Sequence, residues 1–124
     1  MDPKKMANNL ATGRIVFGIA FMAAPALTGR VWIGSDAQLA GPRVLTQAIG
    51  ARDLTMGLGA LIAMRRGKPV RGWFEAISLT DALDFACALA AGDRIPPACR
   101  VAVLALAGSS AAQAAYAASG VDDS

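Results

Sequence analysis

Apolar residues gather into four stretches along the chain, separated by short polar or Gly/Pro-punctuated segments. The first covers residues 10–28 and follows a polar start at residues 1–9; the others cover 44–64, 73–91 and 96–118. A helix needs about 20 residues to cross about 30 Å of hydrocarbon, and each stretch has near-spanning length. Between the second and third lies Arg65-Arg66-Gly67-Lys68-Pro69-Val70-Arg71, a basic connection whose Gly and Pro mark an element boundary. Gly92-Asp93-Arg94-Ile95-Pro96-Pro97 reads as a short turn whose prolines open the fourth helix. Beyond it, Gly120-Val121-Asp122-Asp123-Ser124 is an acidic tail with no evident fold. The expectation is a single all-α domain over residues 1–124, an integral membrane four-helix bundle.

Composition agrees with lipid as the solvent. Hydrophobic residues make up 55% of the 124 positions and charged residues 17%, against about 45–50% and about 25% in soluble domains. Most are Ala, Leu, Val, Ile and Gly, which suits helices packed closely through small side chains. Lys4 and Lys5 before the first stretch and Arg65, Arg66, Lys68 and Arg71 after the second outweigh Arg30, Arg43 and Arg94 in the alternate loops. The positive-inside bias therefore places both termini in the cytoplasm of a multi-pass protein of the cell inner (plasma) membrane. Trp32 and Trp73 fall at expected helix ends, where amphipathic rings favour the headgroup layer. A cleaved signal peptide is the rival reading of the first stretch, because Ala24-Pro25-Ala26 resembles a cleavage site. Arg14 within that stretch and three further apolar segments favour a retained helix.

The net charge of +3 is what basic membrane loops produce, so no nucleic-acid partner is called for. With no histidine in the chain, His-based acid-base catalysis, metal binding and haem ligation are excluded together. No cofactor or metal is implied. Cys87 and Cys99 flank the third loop, so a disulfide is conceivable, with small buried packing as the alternative. Glu75, near the start of the third helix, suits the positive end of the helix dipole.

The chemistry concentrates in charges that the apolar stretches cannot avoid. Arg52, Asp53, Asp81 and Asp84 fall near mid-span, Arg14 lies in the first stretch, and Arg100 nearer an edge. A lone charge at that depth costs at least about 2.5–3.5 kcal/mol, so these groups must turn inward and find partners. Arg14, Arg52 and Arg100 balance Asp53, Asp81 and Asp84, which permits a neutral buried network. At about 100° per residue, Thr80, Asp81, Asp84 and Cys87 form one polar stripe. Arg52 and Asp53, one step apart, address two different neighbours. Helix one offers Arg14, Gly18 and Phe21 on one face, and helix four offers Ala102, Ala105, Ser109, Gln113 and Tyr116.

Three readings of this network compete. A structural clasp would fix helix register in a medium that gives little drive for association, making the chain a structural or accessory subunit. A small transporter would relay protons or bind a cation at Asp81 and Asp84, with Arg52 tuning them. A membrane enzyme would use two carboxylates beside an arginine on a lipophilic substrate. A dry, mutually satisfied cluster favours the first, a water-accessible path the second, and a cavity open to lipid the third. Besides the bilayer, the expected partner is a second copy or a larger membrane complex.

The stretch Gly50-Ala51-Arg52-Asp53-Leu54-Thr55-Met56-Gly57-Leu58-Gly59, preceded by Gly13-Arg14, Gly18 and Pro25 and followed by Asp81 and Asp84, resembles the small four-helix bacterial membrane proteins grouped as domain of unknown function 4267. The resemblance implies the four-span architecture. It implies no activity.

Overall fold

The computed structural model describes residues 1–123, which form α-helices and short 3-10 turns with no strand. In chain order the helices are α1 (Pro3–Ala23), α2 (Pro25–Ile33), α3 (Ala40–Arg65), α4 (Arg71–Ala91) and α5 (Pro97–Gly120). 3-10 turns at Gly34–Gln38 and Gly92–Arg94 join α2 to α3 and α4 to α5.

The first expected helix, 10–28, is the one that differs most. Pro25 has no N–H to donate and disfavours helical geometry at the preceding residue. Ala24 accordingly sits at φ −133°, ψ 62°, and the chain bends by 109° between α1 and the α2 segment. The helix thus runs from Pro3 to Ala23 and restarts as a short crosspiece. Most of the polar start before residue 10 is drawn into α1, where the Asp2 carboxylate accepts from Lys4 N at 3.1 Å.

The helices pack as two close pairs, α1 on α3 and α4 on α5, with α1 also flanking α5 and only thin contact between α3 and α4. Neighbours run antiparallel: Gly18 lies against Gly50 and Ala11 against Gly57, while the Ser78 hydroxyl donates to the Ala111 carbonyl at 2.8 Å. The α1–α3 approach is backbone to backbone. A Cβ on Gly18 would stand 2.6 Å from the Gly50 carbonyl oxygen, and one on Gly50 2.8 Å from that of Gly18. Only glycine admits this spacing.

At one end of the bundle the Tyr116 hydroxyl donates to the Met1 carbonyl at 2.5 Å. There too the acidic tail acquires a structural role: Asp122 accepts from Val70 N at 2.9 Å and Arg71 N at 3.0 Å, capping the start of α4. Arg71 pairs with Glu75 at 2.8 Å, and that hydrogen bond raises the guanidinium pKa further above its ordinary value. Both termini and the basic 65–71 connection therefore share one end, and α2 with the Gly92–Arg94 turn occupies the other. The terminal end is closed by an apolar core in which Phe74 and Ile77 of α4 meet Ala7, Ala11, Ala60 and Ala114.

Many larger apolar side chains point outward instead, including Val16, Leu45, Leu79 and Val101, each over 60% exposed. By length and composition α5 is apolar enough to cross a membrane, and α1 with the α2 segment reaches that mark only as a bent pair. The helices α3 and α4 are long enough, at 26 and 21 residues, but carry Arg52, Asp53, Asp81 and Asp84 in their middles.

Replacing Gly18 by Ala should force α1 from α3 and cost about 1–3 kcal/mol, as overpacking does. Gly72→Ala, where a Cβ meets nothing within 4 Å, should leave thermal unfolding unchanged or slightly raised. Equal melting temperatures for the two variants would contradict the close approach.

Candidate functional site

Above the apolar core, the five charged residues expected to form a polar network converge. Arg14 projects from the buried face of α1, which also carries Ala7, Ala11, Gly18 and Phe21. Its Nη1 donates to Asp53 Oδ1 at 2.9 Å, and its Nη2 donates both to Asp81 Oδ2 and, at 3.2 Å, to Ser110 Oγ. Ser110 in turn donates to Asp81 Oδ2 at 2.5 Å. One planar guanidinium fork therefore ties α1 to α3, α4 and α5, a task that suits arginine and not lysine.

Arg52 and Asp53 are consecutive on α3, and one helical step of about 100° separates their directions. Asp53 meets Arg14 on α1, while Arg52 reaches across the thin α3–α4 seam and grips Asp84 with two hydrogen bonds of 2.8 and 3.3 Å. Arg52 Nε also lies 3.5 Å from Asp53 Oδ1, which links the two halves of the cluster. Asp81 and Asp84, three residues apart, share the inner face of α4. Exposure rises across the network: side chains of Arg14 and Asp81 are 9% and 6% exposed, those of Asp84 and Arg52 21% and 35%. The Arg14 end is the more enclosed and the Arg52 end borders open space.

Several expected partners lie elsewhere. Arg100 sits in the first turn of α5, at the end opposite the termini, and forms no ion pair among the described residues; its buried Nε has no hydrogen-bond partner. The three-against-three balance therefore fails, because two guanidiniums face three carboxylates. The cysteines are both free. Cys99 turns its thiol to the Arg30 carbonyl, 3.2 Å away, while Cys87 lines a small recess of about 150 Å3 beside Asp84. On α5 the buried face consists of Val103, Ala107, Ala114, Ala117 and Ala118. The stripe through Ala105, Ser109 and Gln113 lies beside it, with Gln113 donating to Ser109 at 2.9 Å. Ser110 was the serine to find, since Ala107, Ser110 and Ala114 follow the i, i+3, i+7 spacing of one helix face.

The network floors a cleft of about 540 Å3 between α1 and α5. Leu10, Gly13 and Phe17 form its α1 wall, Leu106, Ser109 and Gln113 its α5 wall, and Trp32 stands at the α2 end. Phe17 and Leu106 are 46% and 45% exposed, so the mouth opens sideways, between helices. Trp32 is steadied edge-on against Phe21, with ring centroids 6.2 Å apart. Among the described residues no group of His, Cys, Asp or Glu is arranged to hold a metal ion. The cleft is thus a recess with largely apolar walls, broken by Asn9, Ser109 and Gln113, and a few convergent charged groups, the general form of a small-molecule site.

No family model, curated protein or solved structure matches this chain.

Removing one partner of a buried ion pair leaves the other uncompensated, which costs about 3–5 kcal/mol. Arg14→Met, which strands both Asp53 and Asp81, should fall in that range or prevent folding. Arg52→Met should cost less than half as much, its pair being more solvated. Chemical denaturation of the purified variants measures both, and a larger loss at Arg52 would contradict the assignment of Arg14 as the central tie.

Proposed function

We propose that this chain is a multi-pass protein of the cell inner membrane, whose Arg/Asp network clasps the helices and floors a binding cleft entered sideways from the bilayer. The observation that carries the reading is the cleft itself: its walls are largely apolar, it lies between two helices, and it ends on Arg14, Arg52, Asp53, Asp81 and Asp84. A purely structural clasp needs no such recess. Support for the membrane setting comes from large apolar side chains exposed around the bundle, with mid-helix charges turned inward and the remaining charges at helix ends and connections. In lipid the outward Leu and Val are solvated, and the inward charges neutralise one another. The shared end of the termini and the basic connection suits a cytoplasmic face under the positive-inside bias. Kinship with domain of unknown function 4267 belongs to the same proposal.

Single cysteines at Lys68, Asp93 and Ser109, placed in a Cys87→Ser/Cys99→Ser background, test the reading in sealed vesicles. Lys68→Cys should react with a charged, membrane-impermeant maleimide from one side and Asp93→Cys from the other. Ser109→Cys, on the cleft wall, should resist that reagent from both sides and react with a bilayer-soluble maleimide. Labelling of the 68 and 93 positions from the same side, or release of the protein by alkaline washing of the membranes, would overturn the arrangement.

A further inference from the structure

The floor of the cleft carries more negative than positive charge. Asp53, Asp81 and Asp84 meet only Arg14 and Arg52. Each guanidinium spends its Nη atoms on carboxylates. Asp53 is engaged through Oδ1 alone and Asp81 through Oδ2 alone, so Asp53 Oδ2 and Asp81 Oδ1 have no hydrogen-bond partner among the described residues. Neither is sealed from its surroundings, because the fully buried side-chain atoms lacking a partner are the Nε atoms of Arg14, Arg52 and Arg100. The cleft is therefore lined by three carboxylates against two guanidiniums, a formal surplus of one negative charge when all are ionised, with one oxygen each of Asp53 and Asp81 left unpartnered.

The walls impose a second requirement. Leu10, Phe17, Trp32 and Leu106 are apolar or aromatic, and aromatic faces favour an adjacent cation. An anionic head would set like charge beside the unpaired oxygens, and a neutral apolar molecule would bury them without partners. We infer that the cleft takes a cationic amphiphile, an ammonium head on Asp53 and Asp81 with an apolar tail lying along Phe17 and Leu106 toward the bilayer. A volume of about 540 Å3 falls within the range of about 300–1,000 Å3 usual for small-molecule sites. The inference rests on the cleft being a binding site and adds the charge of its occupant.

Trp32 supplies the readout. In a Trp73→Phe variant held in dodecylmaltoside micelles, Trp32 is the only tryptophan, and its emission is followed as dodecyltrimethylammonium, dodecanol or dodecyl sulfate is added at matched mole fractions. The ammonium probe should give a saturable change with at least tenfold tighter apparent binding than the other two. Asp53→Asn, which removes the surplus charge, should weaken it about tenfold or more. Ala105→Phe fills the cleft from an exposed α5 position without touching an ion pair and should abolish saturation. Equal or tighter binding of dodecanol or dodecyl sulfate, still blocked by Ala105→Phe, would overturn the cationic assignment and leave the cleft standing. Absence of saturation with every probe, or saturation unaffected by Ala105→Phe, would overturn the cleft as a binding site as well. The contrast among probes uses the unaltered ion network, so it decides the matter even where Asp53→Asn fails to fold.

Discussion

A guanidinium held among four helices must be met by carboxylates, because its desolvation is tolerable only when opposite charge and hydrogen bonds replace the lost water. Arg14 occupies that position. Its fork fixes the rotation of α3 through Asp53, of α4 through Asp81 and of α5 through Ser110. A helix turned by one residue would carry its partner about 100° away. The glycines work to the same end: Gly18 is one turn beyond Arg14, and its contact with Gly50 draws α3 close enough for Asp53 to reach.

Two kinds of interaction divide the bundle. Within the pairs α1/α3 and α4/α5, small residues bring backbones together; between the pairs, ion pairs span a wider gap, as Arg52 does to Asp84. The apolar core around Phe74 and Ile77 joins the pairs only at the terminal end. Farther along, α1 and α5 leave room beside Phe17 and Leu106, and the cleft opens there. The same charges that hold the pairs together thus come to line a recess, and binding in it would be coupled to how the pairs sit against each other.

Much of this was legible in the sequence. Read as helices in lipid, the stretches required their mid-helix charges to face inward, and the adjacency of Arg52 and Asp53 pointed to two different partners. The connection at 65–71 and the turn at 92–97 announced themselves through Gly, Pro and charge. The bend at Pro25 was present in the chain too, but an apolar run reads through a proline when only hydropathy is followed. Ser110 was obscured by Ser109, one step away, because α5 is so uniformly small that its buried face stands out weakly. The fate of Arg100 and the cysteines depended on where helix ends fell in space, and the cleft depended on a gap between helices far apart in the chain. Neither leaves a periodic mark.

Arg14 and Asp81 act as one unit, and a double-mutant cycle measures that unit directly. Stabilities of the parent, Arg14→Met, Asp81→Asn and the double variant, determined in the same lipid or detergent, give the coupling. The coupling should be at least about 2 kcal/mol, with the double variant more stable than Arg14→Met alone, because it leaves Asp53 as the one carboxylate that has lost Arg14, where the single variant leaves two. A coupling under about 0.5 kcal/mol, within the error of additivity, would contradict it.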